Sequence, residues 1–79
     1  MRARVIVTLK AGVLDPQGQA INGSLKSLGF AGVSGIRQGK IFDIEIGETD
    51  PGAARLSLAA MCEKLLANTV IENYAIELV

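Results

Sequence analysis

The chain has 79 residues, of which 49% are apolar and three are aromatic (Phe30, Phe42 and Tyr74), and its eight basic side chains balance eight acidic ones. A net charge of zero argues against nucleic acid or an anionic membrane surface as a partner, because both demand a basic face. The absence of histidine and the single Cys62 remove the commonest general base, an internal disulfide and any multi-cysteine metal site.

A domain of this size buries only about 60% of the surface its unfolded chain exposes, so a lone copy is marginal. The shortness of the apolar runs argues against a signal peptide or a membrane span, and the expected location is the cytoplasm. One domain, residues 1–79, is expected.

Alternation of Val5, Val7 and Leu9 with Arg4, Ile6, Thr8 and Lys10 predicts a first strand over 2–10. After a loop at 11–14, Asp15-Pro16 supplies an N-cap and a preorganised first helical residue. The following helix, 16–28, places Ile21, Leu25 and Leu28 on one face and stops at Gly29. Gly18 and Gly23 weaken it, since an interior glycine costs up to about 1 kcal/mol relative to alanine. A second strand is expected over 33–38 and a third over 40–47, joined by a tight hairpin at Gln38-Gly39 with Gly39 at positive φ. Val33 and Ile36, three apart, fit one strand face only with a bulge. Phe42, Ile44 and Ile46 are assigned to the helix side.

Asp50-Pro51 repeats the Asp15-Pro16 signal and opens a second helix over 51–67. Its apolar stripe is read as Ala54, Leu58, Met61 and Leu65, with Asn68 as C-terminal cap. A last strand over 70–78 sends Tyr74, Ile76 and Leu78 to one side. The order β-α-β-β-α-β gives an α+β, ferredoxin-like fold, with a four-stranded antiparallel sheet and two helices on one face. The opposite face, with Ile6, Thr8, Ile41, Asp43, Glu45, Ala75 and Glu77, is left open for self-association.

No catalytic constellation emerges. Cys62 and the serines have no histidine partner, and Cys62 is read as a structural residue of the second helix. Asp43 and Glu45 share a strand face but lack the further oxygen ligands that a divalent metal requires. Gly29-Phe30-Ala31-Gly32 matches no phosphate-binding spacing. An RNA-recognition sheet would display aromatics on its central strands, whereas Phe42 is assigned to the core. Arg37 and Lys40 flank the expected hairpin as a small basic cluster suited to a partner protein.

Three segments carry a family resemblance: Val7-Thr8-Leu9-Lys10-Ala11-Gly12-Val13-Leu14-Asp15-Pro16-Gln17-Gly18, Ile36-Arg37-Gln38-Gly39-Lys40, and Met61-Cys62-Glu63-Lys64-Leu65-Leu66-Ala67-Asn68-Thr69-Val70-Ile71-Glu72-Asn73-Tyr74. Together they resemble the PurS family, the small subunit of phosphoribosylformylglycinamidine (FGAM) synthase. Ala11 and Thr69 stand where that family usually has proline, and Asn73 where it has aspartate. The resemblance implies a subunit with no catalytic residue, cofactor or metal of its own, in a glutamine-dependent ligase complex that uses ATP and Mg. It implies a large synthetase subunit and a glutaminase subunit as partners, with ammonia passing from the second to the first. A homodimer or tetramer is expected as well. Thr8, Lys10, Arg37, Gly39 and Lys40 are the expected partner contacts. The alternative is a small regulatory domain that binds a metabolite as a dimer, with Asp15, Gln17 and Asn22 supplying polar groups.

Overall fold

The structure is a computed structural model that describes residues 1–79. It contains β1 (Arg2–Leu9), α1 (Pro16–Ser27), β2 (Gly39–Glu45), α2 (Pro51–Met61), a π-helical turn (Cys62–Leu66) and β3 (Glu72–Leu78). The strands form one antiparallel sheet in the order β2-β1-β3. The expected four-stranded ferredoxin-like sheet is therefore corrected to three strands.

The strand expected over 33–38 does not form, and the reason is local. Gly32 and Gly35 offer no side chain to a sheet, and Val33 and Ile36 are out of phase with a period of two. The backbone polar groups there are also claimed elsewhere: Gln38 N–H donates to Asp15 Oδ2 at 2.6 Å. No hairpin joins two strands at Gln38-Gly39, because Gly39 opens β2. Positive φ is confined to Gly12 and Gly29. Gly39 is needed for close approach, since a Cβ there would lie 2.7 Å from Val7 O.

The inner face of the sheet carries Ala3, Val5 and Val7 from the central strand. Phe42 and Ile44 flank them on β2, and Tyr74, Ile76 and Leu78 on β3, as the pairings Val5↔Phe42 and Val5↔Ile76 require. α2 with Ala54 and Leu58, and the π-helical turn with Cys62, cover this face, all three residues fully buried. This layer sits toward β3: Arg55 Nη1 donates to Ile76 O at 3.4 Å and Tyr74 Oη donates to Glu63 Oε1 at 3.0 Å.

The second helix corrects its expected apolar stripe. Ala54, Leu58, Cys62 and Leu66 follow one another at intervals of four, and Ala67 N–H closes a wide turn onto Cys62 O at 3.0 Å. An α-helix turns 400° in four residues, so such a stripe drifts; the π-helical turn takes up the excess and holds it over the sheet. As a result Met61 and Leu65 point outward, with Leu65 83% exposed. Asn68 follows Ala67, the residue at the C-cap, and builds a turn, with its side chain accepting from Val70 N–H at 3.2 Å.

α1 departs furthest from expectation. Its ends are well made. Asp15 Oδ1 accepts from Gly18 N–H at 2.9 Å, and Gly29 (φ 98°) closes a Schellman turn with Gly29 N–H to Lys26 O and Phe30 N–H to Leu25 O. Yet Gly18 is its sole buried residue, and it shares no extended packing surface with any other element. The two helices do not form one layer over the sheet. The molecule measures 48 × 25 × 14 Å with a radius of gyration of 16.0 Å, against about 12 Å for a compact chain of this length.

Candidate functional site: the junction of the three signature segments

β1 leaves the sheet and β2 enters it at the same end, through the pairs Val7↔Lys40 and Thr8↔Gly39. The first two signature segments meet there. Asp15 is buried (6% exposed) and holds both the start of α1 and the entry to β2, through Gly18 N–H and Gln38 N–H. These amide donors, Gln38 first and then Gly18, hold the Asp15 carboxyl below the usual aspartate range.

Arg37 ties the same knot from the other side. Its Nη1 donates to Val13 O at 2.7 Å and its Nη2 to Lys10 O at 3.1 Å. Gln38 Nε2 donates to Gln17 Oε1 at 2.7 Å. Gly18 allows the closeness: a Cβ there would sit 2.5 Å from Ile36 O. The third signature segment reaches the junction through Glu72. Its Oε2 lies 3.8 Å from Lys40 Nζ, and its Oε1 accepts from Asn68 N–H at 2.6 Å.

The five residues expected as partner contacts thus gather at one end of the sheet, on both of its faces. Thr8 and Gly39 share the open face, which places Lys40 on the helix side beside the Phe42 ring, 5.7 Å from its centroid. Lys10 lies just past β1, half-buried, with its carbonyl in the Arg37 clamp. Sequence reasoning missed Asp15 as the centre of the junction, although the Asp-Pro cap was legible. Its second bond, to a residue 23 positions away, had no local signal.

The polar groups suggested for a metabolite serve the fold instead in two of three cases. Asp15 and Gln17 are engaged as described, while Asn22 Oδ1 is enclosed without a hydrogen-bond partner. No group of three or more His, Cys, Asp or Glu side chains could hold a metal ion. Burial pushes the Cys62 thiol up, assisted by Glu63, so it stays protonated and poorly nucleophilic. On the open face Arg4 Nε donates to Asp43 Oδ1 at 2.9 Å, and this partner holds Asp43 low. No helix is long and apolar enough to cross a membrane.

Fold and site together define a small, open α+β subunit in which Asp15, Arg37 and Glu72 are engaged in joining its own elements. The family model for PurS, phosphoribosylformylglycinamidine (FGAM) synthase, matches residues 2–79. The chain is 53% identical over 75 residues to the PurS subunit of that synthase from Mycobacterium leprae, covering 95% of this chain and 91% of the relative. It superposes on Methanocaldococcus jannaschii PurS with a TM-score of 0.87 at 41% identity, covering 96% and 92% of the two chains. A chain in the structure of PurLQS from Thermotoga maritima matches with a TM-score of 0.85 at 28% identity, over 96% and 94%. The chain belongs to the PurS family, the subunits of FGAM synthase in purine biosynthesis, and its activity is that of the ligase complex. The metabolite-binding reading is not favoured.

Proposed function

We propose that this chain is the non-catalytic organising subunit of a glutamine-dependent, ATP- and Mg-using FGAM synthase. It holds a large synthetase subunit and a glutaminase subunit so that ammonia made in one reaches the other. The observation that carries this reading is the PurLQS match, in which a chain of nearly the same length and fold is one component of a larger assembly. The spent charges at Asp15, Arg37 and Arg4–Asp43 agree with it, since a catalytic centre needs groups left free to change protonation or attack. The complex works in the cytoplasm.

Thr8, Lys10, Arg37, Gly39 and Lys40 form the proposed contact region. Within it Arg37 and Gly39 shape the surface, and Thr8, Lys10 and Lys40 present side chains. The chain also self-associates as a homodimer or higher oligomer. The test is co-purification with the two larger subunits and assay of glutamine-dependent FGAM formation with and without this chain. Glutamine-dependent activity and ammonia transfer should fall sharply without it. Full activity from the two large subunits alone would refute the proposal.

A further inference from the structure

Gly23 is a glycine that the fold does not require. Its φ is not positive, and a Cβ placed on it would meet nothing within 4 Å. Its effect is to loosen α1. An interior glycine costs up to about 1 kcal/mol relative to alanine. Ser27 Oγ donates to Gly23 O at 3.2 Å, a back-bond that competes with the helical ladder. A helix of 12 residues with these faults is marginal by itself, so its turns open locally at little cost.

The residue before this glycine is Asn22, and Asn22-Gly23 is the sole Asn-Gly pair in the chain. Asn22 Oδ1 is enclosed without a hydrogen-bond partner, so no donor holds that oxygen in place. Asn22 borders a cavity of about 320 Å³ between α1 and residues 34–37, which Asp15, Ser34 and Arg37 also line. No Cβ on Gly23 shields its nitrogen from the Asn22 side chain. While α1 is formed, the Gly23 N–H donates to the carbonyl four residues back and the helical backbone keeps the nitrogen away from Asn22 Cγ. Once the turn opens, no side chain stands between the two atoms.

We propose that Asn22-Gly23 is a self-modifying site, gated by the order of α1, whose product loosens α1 from the Asp15–Arg37 junction. The Gly23 nitrogen attacks Asn22 Cγ. The N–Cγ bond forms, the Cγ–Nδ2 bond breaks, and Nδ2 leaves as ammonia with the proton that Gly23 gave up. Water then opens the resulting succinimide at either carbonyl, which leaves aspartate or isoaspartate at 22. The change is hydrolytic and needs no oxidant, reductant or second protein. Either product adds one negative charge to a chain of zero net charge, beside the cavity that the Asp15 carboxylate already lines. A carboxylate enclosed there without a donor is costly. Isoaspartate also inserts a methylene into the main chain and breaks the regular spacing of the helical hydrogen bonds. The modified chain carries a permanent mark and a weakened hold on α1.

The test incubates the full chain at mildly alkaline pH and follows its tryptic peptides by mass. Residues 11–26 contain Asn22 as their one asparagine, and residues 65–79 contain Asn68 and Asn73, which serve as internal controls. The 11–26 peptide should shift first, by the mass difference between an amide and an acid. Fragmentation should place the change at 22, and isoaspartyl methyltransferase should label it. The rate should climb with pH, because the attacking nitrogen must lose its proton, and with low denaturant, which opens α1. Gly23→Ala shields the nitrogen and firms the helix, so it should suppress the shift while the chain keeps its circular dichroism. An 11–26 peptide that stays unmodified, or that changes only after Asn68 or Asn73, overturns the proposal. Modification of Gly23→Ala at the wild-type rate, or a rate indifferent to denaturant, does so too.

Asn22→Asp supplies one product directly. It should melt below wild type and lose helical signal with its strand signal intact. An Asn22→Asp chain that melts with wild type refutes the loosening of α1.

Discussion

Single residues act here mainly as joints. Asp15 is a helix cap whose second oxygen reaches across the chain to Gln38. Its folded pKa is lowered, so its contribution is present above the usual aspartate range and is lost as pH falls below about 4 through the folded value. Asp43 and Glu48 are lowered too, by Arg4 and by the Asp50 and Thr49 amides, so total stability must fall in the same window. Asp15→Asn isolates the joint: it should lower the melting temperature at neutral pH and flatten the acid limb of the helical signal. An acid limb unchanged from wild type would show that Asp15 does not couple α1 to β2.

Gly39→Ala puts a methyl group 2.7 Å from Val7 O, a backbone atom that cannot move aside. Overpacking of this kind costs about 1–3 kcal/mol, readable as a lower denaturation midpoint with an unchanged slope. Reversing Lys10 and Lys40 to glutamate should weaken association with the larger subunits, most at low salt, since peripheral charges act chiefly on association rate. Association at wild-type strength across salt concentrations would remove both lysines from the contact region.

At the scale of elements, α2 and its π-helical turn make the clearest case. Leu58 is fully buried between Val5, Val7 and Cys62, and Leu65, one heptad on, is 83% exposed. Leu58→Ala should cost about 2–5 kcal/mol, which is most of what a domain of this size has to spare. Leu65→Ala should leave the melting temperature nearly unchanged. Equal losses from the two would mean that the stripe runs as a regular α-helix and that the wide turn is absent in solution. The same turn seals Cys62, so a thiol reagent should modify it only on unfolding; rapid labelling of native protein would contradict the packing.

At the scale of the whole molecule, the flat shape and the thin core have one cause. Nine of 79 residues are buried because a single helix covers a three-stranded sheet and the other helix covers nothing. Such a chain is expected to owe much of its stability to association, so its melting temperature should rise with protein concentration, as mass action requires. A concentration-independent transition would point to a self-sufficient monomer.

What the sequence determined by itself is local or repetitive. The alternation in β1, β2 and β3, the Asp-Pro starts of both helices, the Gly29 stop and the inward set Phe42, Ile44 and Ile46 all depend on neighbours within a turn or a pleat, so they could be read from the chain. The three signature segments likewise announced the PurS family without coordinates. Only the tertiary structure decided where distant groups meet. Residues 33–38 became a clamp because Asp15 takes the Gln38 N–H that a fourth strand would have used, while the Arg37 side chain ties the segment to the Val13 and Lys10 carbonyls. The second helix widened because Cys62 and Leu66, four apart, had to stay over Val5 and Val7. α1 carries a regular apolar face, but a helical pattern records only that a face is to be buried, and a partner's identity is set by where the chain ends of that helix are held.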